Sequence, residues 1–374
     1  MNQNQSQSAE AFNPADLGPS LCMKFDAVVK SFAQDPNQRV NGALSGYIYD
    51  VPQFVGDRVD GGLHYAQYVE LPTSLIPQKQ PGLLKLFAQH IKDTVKPGAS
   101  FYDLGPGPGW SVKKNTIPVL DILKPAVYVA VDLEPEFTAQ ACKVVAQQFV
   151  DMKVSNLASN FHQQMLPMPP TDTSIIWYPG STLGNLPSLP GQTFLQNEFI
   201  VEHLSLLRQY ADQTGTYKTK TEHTRYLLIL MDSKKDNTQA MVDLYASEHA
   251  VGCFKSILFK LQRDLKAKNF DPEAFVYQPR WNEINSTVEH VFTATRSQTV
   301  QITDAFTDAR EMITVLKNEE YVLANSMKPS AQDMMAILTR SGWTHLQLEM
   351  DKEKRFHMHL VRTSTKPSTK QTSI

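Results

Sequence analysis

The chain has 374 residues, a formal net charge of −2, 41% hydrophobic residues and 20% charged residues. This composition is typical of a globular protein and provides no broad positive field that would attract nucleic acid or an anionic membrane. We therefore expect no nucleic-acid partner and no membrane partner, and a monomer or a weak oligomer. The three cysteines, Cys22, Cys142 and Cys253, have no paired spacing, which is typical of reduced thiols and predicts a cytoplasmic protein.

The N-terminal part of the chain divides into a polar tail and an aromatic segment. Residues 1–20 are polar, and we predict that they are disordered. Apolar residues at helical spacing follow at 22–32. Residues 41–72 are rich in both glycine and aromatic side chains, which favours a lid or a wall packed over a ligand.

A glycine turn between two strand-like segments is the centre of the sequence. Residues 99–104 form a short apolar run that breaks into Gly105, Gly107 and Gly109, and residues 126–132 form a second run that ends in an aspartate. A strand, a glycine turn, a crossover and a second strand with a terminal carboxylate predict the nucleotide-binding half of an open parallel sheet. The ligand should lie over the three glycines.

Two prolines in the turn bear on the identity of that ligand. Dinucleotide-binding loops hold a pyrophosphate through backbone N–H groups, whereas Pro106 and Pro108 each remove one such donor. S-adenosylmethionine carries no phosphate, so the turn favours this cofactor, with Asp132 on its ribose hydroxyls. An NAD-binding oxidoreductase and a non-catalytic cofactor-binding module are the alternatives from other functional classes.

Helix-spaced and strand-length apolar segments alternate along the rest of the chain. Expected helices cover residues 81–95, 137–149, 238–265 and 331–341, and expected strands cover residues 173–178, 225–232, 287–296, 298–302, 344–350 and 355–361. Strands that alternate with helices imply a parallel α/β sheet. The antiparallel pattern at 287–302 predicts an inserted second unit, the last two strands predict a terminal hairpin, and Gly252 marks an expected break in the long helix.

One segment carries a specific resemblance to a known family. Residues 178–186, Tyr-Pro-Gly-Ser-Thr-Leu-Gly-Asn-Leu, are similar to the Gly-Ser-Thr-Ile-Gly-Asn-Leu segment of the histidine-specific N-methyltransferases. Further similarity lies in Tyr-Ile-Tyr-Asp at 47–50, in Met231-Asp232, and in residues 319–328, which begin Glu-Glu and end Ser-x-Lys. The resemblance covers most of residues 45–362. The family includes the hercynine-forming enzyme of ergothioneine biosynthesis and members that act on tryptophan or prenylated tryptophan.

The resemblance implies the fold and the division of the chain. We expect an α/β fold, with a class I methyltransferase Rossmann-like sheet and an inserted α+β substrate-binding domain. The expected division is residues 1–20 as a tail, 21–81 with 237–324 as the substrate-binding or lid domain, 82–236 with 325–362 as the methyltransferase core, and 363–374 as a loose tail.

The resemblance also implies roles for individual residues. The expected S-adenosylmethionine contacts are Tyr49, Gly105, Gly107, Lys113 or its neighbour Lys114, Asp132, Asn160 and Phe161. The expected substrate contacts are Gly180, Asn185, Tyr245, His290, Ala324 and Ser326. Of these, Asn185, Tyr49 and Tyr245 are the expected catalytic residues. No metal site is expected, since no third ligand at suitable spacing accompanies His357 and His359.

Two departures from the family pattern bear on the substrate. The family has an acid two residues before the serine of Ser-x-Lys, where it holds the imidazole of histidine, and this chain has Ala324. A family tyrosine that follows Leu-Pro is also missing, since Leu71-Pro72 is followed by Thr73. A buried imidazole N–H without its acceptor costs about 1–3 kcal/mol. The sequence therefore predicts an α-N-methyltransferase of a free aromatic amino acid, an indole being favoured, with histidine and hercynine formation as the alternative.

Overall fold

A computed structural model of the chain describes residues 22–48, 61–71, 76–180, 182–211, 223–233 and 238–363. In chain order its strands are β1 (Ser100–Leu104), β2 (Val127–Asp132), β3 (Lys153–Ala158), β4 (Leu166–Pro167), β5 (Thr173–Tyr178), β6 (Tyr210–Ala211), β7 (Thr224–Asp232), β8 (Phe275–Asn282), β9 (Thr287–Ala294), β10 (Gln298–Thr303), β11 (Arg310–Val315), β12 (Glu320–Met327), β13 (Trp343–Met350) and β14 (Phe356–Thr363).

The helices are likewise numbered along the chain. They are α1 (Phe25–Ser31), α2 (Gly61–Glu70), α3 (Ile76–Thr94), α4 (Gly109–Ser111), α5 (Ile117–Leu123), α6 (Pro135–Gln148), α7 (Glu198–Leu206), α8 (Thr238–Leu244), α9 (Glu248–Asp264) and α10 (Ala331–Arg340). Across these ranges of the chain, no helix is both long enough and apolar enough to span a bilayer.

A seven-stranded sheet forms the centre of the molecule, with the strand order β13-β14-β7-β5-β1-β2-β3. Neighbouring strands from β7 to β3 are parallel, and β14 lies antiparallel to both β7 and β13. The carboxyl ends of the parallel strands therefore meet at one edge, where ligands bind in open α/β sheets. The predicted α/β fold class and the predicted terminal hairpin are confirmed.

Both faces of this sheet are covered, which explains why its strands are visible in the sequence. Along β5, Ile176 and Tyr178 belong to the apolar cluster on one face, while Ile175 and Trp177 belong to the cluster on the other. A strand buried on both faces has a continuous apolar run. The edge strand β3 is mostly exposed, and the sequence analysis did not detect it.

A second layer contains the antiparallel sheet β12-β9-β8 and the separate ribbon β10-β11. Its apolar core includes buried residues of α1 and α9 together with Phe292 and Tyr321. The expected antiparallel strands are thus present, but β10 pairs with β11 and not with β9. The expected domain limit at residue 324 falls inside β12, and the two expected tails lie outside the described residues except for Thr363, which ends β14.

The predicted break near Gly252 is wrong. The helical stretch is divided earlier, between α8 and α9, where the Ser247 hydroxyl accepts the Ala250 N–H at 3.3 Å and caps α9. Gly252 lies inside α9, where a Cβ atom would come within 2.7 Å of the His64 ring. The glycine therefore reflects the close approach of α2, not the end of a helix.

Candidate active site

The turn after β1 has the backbone geometry that its glycines predict. Its backbone N–H groups already donate to acceptors within the protein. Gly105 and Gly107 each have φ of +67°, which L side chains rarely adopt. The Gly105 N–H donates to the Val131 carbonyl at 2.8 Å. The Gly107 N–H donates to the Asp132 carboxylate. The Gly109 N–H donates to the Gln140 Oε1 atom at 2.9 Å. Pro106 and Pro108 have no N–H. With no free donor in residues 105–109, the turn favours a phosphate-free ligand over a dinucleotide.

A cavity opens at the carboxyl ends of β1 and β2, and we call it the strand-end cavity. Five of the predicted cofactor residues line it: Gly105, Gly107, Asp132, Asn160 and Phe161. Burial raises the pKa of Asp132 to about 6, although backbone N–H groups, including that of Glu134 at 3.0 Å, partly offset this effect. A carboxylate and an aromatic ring in one dry cavity suit a ribose and an adenine.

A larger cavity adjoins the first, and we call it the aromatic cavity. It is lined by the predicted substrate residues Gly180, Asn185, Tyr245 and Ser326. Residues common to both cavities are Tyr65, Gly105, Gly107, Thr182 and Asn185. The two cavities therefore meet at this set, so that a ligand in one can reach a ligand in the other.

Asn185 lies at that junction, at the end of the short 3-10 helix Thr182–Asn185. The preceding Gly184 packs so closely on β12 that a Cβ atom would lie 2.7 Å from the Met327 carbonyl oxygen. In the described parts of the chain, the Asn185 side chain has no hydrogen-bond partner. Its amide is therefore held in place by the backbone but remains available to a ligand.

A buried ion pair, to which the sequence analysis gave no role, lines the aromatic cavity. The Lys328 side chain follows β12 and is 3% exposed, and its Nζ atom lies 3.1 and 3.0 Å from the two carboxylate oxygens of Asp232. Burial disfavours the charge on Lys328, but the attraction of Asp232 outweighs it and holds the pKa of the lysine above its ordinary value. Both residues lie in segments that resemble the family.

The ion pair fixes the direction of the Tyr245 hydroxyl. The Lys328 Nζ atom lies 3.0 Å from the Tyr245 hydroxyl oxygen, and because an ammonium only donates, this oxygen accepts. The hydroxyl keeps its own proton to donate, and the neighbouring described residues offer it no acceptor. Tyr245 lines the cavity, so it presents an O–H donor there beside a positive charge. This arrangement suits an anionic group such as a carboxylate.

Aromatic rings form part of the remaining wall of the aromatic cavity. Tyr65 and Tyr68 of α2 and Phe254 of α9 line it, and the Tyr68 ring stacks on Tyr245 with 5.9 Å between ring centroids. The expected wall in the N-terminal segment is therefore a helix that contributes two tyrosines. The sequence analysis named the segment but assigned neither tyrosine to the site.

Two predicted substrate residues lie behind this wall and not in it. Ala324 is fully buried and directly opposite His290 in the β9–β12 pair, and neither lines the cavity. The His290 ring stacks on Phe254, with 3.5 Å between centroids, and its Nε2 atom lies 3.0 Å from the Ser326 hydroxyl oxygen. Ala324 is not among the residues that line the cavity, and its expected effect on the size of the pocket stays a prediction.

Lys113 is the predicted cofactor residue that the structure does not bring to a cavity. Lys113 and Lys114 lie on the π-helical turn Val112–Thr116, where both side chains are exposed. The cavity-lining residues beside them are Ser111 and Asn115, so the turn directs its lysines outward.

Tyr49, the remaining predicted residue, lies outside the described residues. Elsewhere in the described ranges, no group of three or more His, Cys, Asp or Glu side chains is arranged to hold a metal ion.

Comparisons with solved structures return methyltransferases. A S-adenosylmethionine-dependent methyltransferase from Clostridium acetobutylicum is 11% identical, with a TM-score of 0.40 over 80% of this chain and 97% of that one. Magnesium protoporphyrin IX methyltransferase from Synechocystis, with bound S-adenosylhomocysteine, is 11% identical, with a TM-score of 0.39 over 81% and 93%. An amino pentose methyltransferase from Micromonospora echinaspora is 8% identical, with a TM-score of 0.36 over 80% and 95%.

A sequence search among the curated proteins gives no match. A family model described as "Histidine-specific methyltransferase, SAM-dependent" matches residues 26–363. This range includes the glycine turn, both cavities and the ion pair. The chain therefore belongs to the histidine-specific methyltransferase family, and its methyl donor is S-adenosylmethionine.

Proposed function

We propose that the protein transfers methyl groups from S-adenosylmethionine to the α-amine of a free aromatic amino acid. The observation that carries this proposal is the junction of the two cavities at Asn185. One cavity suits an adenosine, and the other combines an anion-binding hydroxyl with an aromatic wall. A free aromatic amino acid has a carboxylate for the hydroxyl and an aromatic side chain for the aromatic wall of the second cavity.

The carboxylate of the substrate is assigned to Tyr245. Its hydroxyl donates into the cavity because Lys328 occupies its oxygen at 3.0 Å, and the lysine adds a positive charge in a site of low exposure. Hydrogen bonds to an ionised acceptor are roughly twice as strong as those between neutral groups. This end of the cavity therefore holds the charged head group of an amino acid.

The α-amine is assigned to the junction, beside Asn185 and Gly180. S-adenosylmethionine, when bound, supplies an activated methyl group on a sulfonium. The Asn185 amide holds the amine, which must be neutral and in line with the methyl group at about 3–3.5 Å to react. The acid that lines the described part of the aromatic cavity is Asp232, and it is already paired with Lys328. We therefore assign the proton of the α-ammonium to water and not to a dedicated base.

The side chain of the substrate is assigned to the space between Phe254, Tyr65 and Ser326. Aromatic rings line this space and one hydroxyl faces it, so an aromatic side chain with a polar atom fits better than an aliphatic one. An indole uses more of the apolar surface than an imidazole. Tryptophan-type substrates are therefore proposed ahead of histidine.

Purified protein incubated with S-adenosylmethionine and a mixture of the standard amino acids tests this proposal. Mass spectrometry should detect gains of one, two or three methyl groups on an aromatic amino acid, and fragmentation should locate them on the α-amine. Methylated histidine as the sole product would support the alternative substrate. A protein that binds the cofactor and methylates no amino acid would contradict the proposed function.

A further inference from the structure

Three side chains form a hydrogen-bonded chain behind the wall of the aromatic cavity. The Tyr277 hydroxyl lies 3.2 Å from the Tyr245 carbonyl oxygen and 2.8 Å from His290 Nδ1, and His290 Nε2 lies 3.0 Å from the Ser326 hydroxyl oxygen. His290 is fully buried, whereas Ser326 lines the cavity. The chain therefore runs from a backbone carbonyl to the surface that the substrate touches.

The His290 ring in this chain is neutral. Burial lowers its pKa well below the ordinary value, and the charge of Lys328 acts in the same direction. A neutral imidazole has one N–H donor and one bare nitrogen acceptor. Each hydrogen bond that the ring makes therefore determines the direction of the next one.

Two arrangements of the protons are possible, and they differ at both ends of the chain. In the first, Tyr277 donates to the Tyr245 carbonyl, His290 Nδ1–H donates to Tyr277, and the Ser326 hydroxyl donates to the bare Nε2 atom. In the second, Tyr277 donates to Nδ1, and Nε2–H donates to Ser326. The second leaves the Tyr245 carbonyl without a donor from the described side chains and backbone.

The carbonyl decides between the two arrangements because a carbonyl oxygen can only accept. Most backbone carbonyl groups in folded proteins have a donor, and the Tyr277 hydroxyl at 3.2 Å is the donor that the described residues offer to this one. The first arrangement satisfies every polar atom of the chain, so it is the one that the geometry favours. In this arrangement the proton of Ser326 is directed at His290, so the hydroxyl oxygen of this cavity-lining residue is left as an acceptor.

We propose that Tyr277 and His290 are positioning residues that hold Ser326 as a hydrogen-bond acceptor, so that the site selects aromatic amino acids with a ring N–H group. The proposal rests on the proposed function, since it concerns the side chain of that substrate. An indole or imidazole N–H meets the acceptor. A ring with sulfur in the same place brings a lone pair against a lone pair.

Matched isosteres test the selectivity. Tryptophan is compared with its benzothiophene analogue, and histidine with thiazol-4-ylalanine, because each pair differs by N–H against sulfur. For the pair that is turned over, the wild-type kcat/KM should favour the N–H member by about tenfold or more. Ser326→Ala should reduce this ratio to near one. Equal kcat/KM for both members in the wild type would overturn the inference while leaving the proposed function intact.

Removal of the Tyr277 hydroxyl tests whether the hydrogen bonds from Tyr277 through His290 to Ser326 control the selectivity. Tyr277→Phe retains Ser326 but removes the acceptor of Nδ1–H, so the N–H preference should fall several-fold. Tyr226→Phe is the matched control, because it removes a hydroxyl that donates to the Thr94 carbonyl at 3.2 Å on another part of the fold. The control should keep the wild-type ratio. A Tyr277→Phe enzyme with the wild-type ratio of kcat/KM for the two members of the pair would contradict the positioning role of Tyr277.

Nitrogen-15 NMR of histidine-labelled protein gives a test that needs no turnover. Protonated and bare ring nitrogens have well separated shifts, and the signals that disappear in His290→Gln assign the ring. We expect a proton on Nδ1 and a bare Nε2 in the wild type, and transfer of the proton to Nε2 in Tyr277→Phe. A wild-type ring protonated on Nε2 would overturn the inference. The absence of any amino-acid methylation would contradict the proposed function separately.

Discussion

The two cavities are built in different ways. The strand-end cavity takes most of its lining from consecutive loops of the central sheet, in residues 105–107, 132–137 and 159–162. The aromatic cavity is assembled from distant parts of the chain, including α2, α9 and the ends of β7 and β12. The cavity proposed for the cofactor is thus built mainly from neighbouring loops, and the cavity proposed for the substrate depends on the packing of the second layer on the first.

The electrostatics of the two cavities also differ. Among the described residues, Asp132 supplies the carboxylate that lines the strand-end cavity, and burial raises its pKa to about 6. The aromatic cavity has an ion pair, in which Lys328 keeps its charge because Asp232 is 3.0 Å away. One cavity is therefore suited to neutral hydroxyl donors, and the other to an anionic head group.

The largest effect should come from the junction that both cavities share. We expect Asn185→Ala to abolish detectable turnover, because the amine loses the group that holds it in line with the methyl group. Affinity for S-adenosylmethionine, measured by calorimetry, should remain nearly unchanged. Asn156→Ala, on the exposed edge strand, is the matched control. A variant with normal turnover would refute the assignment of Asn185.

The next largest effect is expected at Lys328, whose substitution should change binding of the amino acid and not binding of the cofactor. Lys328→Met should raise the KM for the amino acid by at least about tenfold, because the Tyr245 hydroxyl loses its direction and its positive neighbour. It should also lower the free energy of unfolding by about 3–5 kcal/mol, because the buried Asp232 carboxylate loses the counter-charge of Lys328. Cofactor affinity measured on the folded fraction should be retained.

A double variant separates folding from recognition in that prediction. Lys328→Met combined with Asp232→Leu removes both charges of the pair, so stability should recover while the KM for the amino acid remains high. Lys124→Met is the control, because its partner Asp121 and the lysine itself are both more than half exposed. Recovery of a wild-type KM in the double variant would show that Lys328 acts only on folding.

A smaller effect is expected in the strand-end cavity. Asp132→Asn should weaken S-adenosylmethionine binding by about tenfold and leave the KM for the amino acid unchanged, because ribose hydroxyls lose an ionised acceptor. The raised pKa also gives a pH dependence. As pH falls through about 6, the wild-type carboxylate gains a proton and binding should weaken, whereas the variant should not show this change. Identical pH profiles by calorimetry would contradict this role.

The smallest effect is expected at the lysine that the structure turns outward. Lys113→Ala should change S-adenosylmethionine affinity by less than about twofold, because the side chain is exposed and lines neither cavity. Lys114→Ala should behave in the same way. A large loss of affinity in either variant would restore the lysine to the cofactor site and show that the turn rearranges on binding.

The sequence identified the parts of the molecule whose signals are local. Continuous apolar runs marked β1, β2, β5 and β7, and the glycine spacing marked the turn that joins two of them. The exposed strand β3 gave no such run. At Gly252 a break in the helix was expected, but the relevant neighbour is His64 on α2, which is distant in the chain.

The same distinction holds for the candidate site. Asp132 followed from its place at the end of a strand, and Asn185 from a near-match to a family segment. The pairing of Lys328 with Asp232 joins residues 96 positions apart, so spacing gives no sign of it. His290 was expected at the substrate, but Phe254 and Ser326 stand between its ring and the cavity, an arrangement that depends on the packing of β9, β12 and α9.

The ion pair has a mechanical consequence as well. Asp232 is the last residue of β7 in the central sheet, and Lys328 directly follows β12 of the antiparallel sheet. Under the proposed function, a substrate carboxylate beside Tyr245 would compete with Asp232 for the charge of Lys328, and so with one of the contacts between the two sheets. Binding of the amino acid and contact between the two layers therefore both depend on the charge of Lys328.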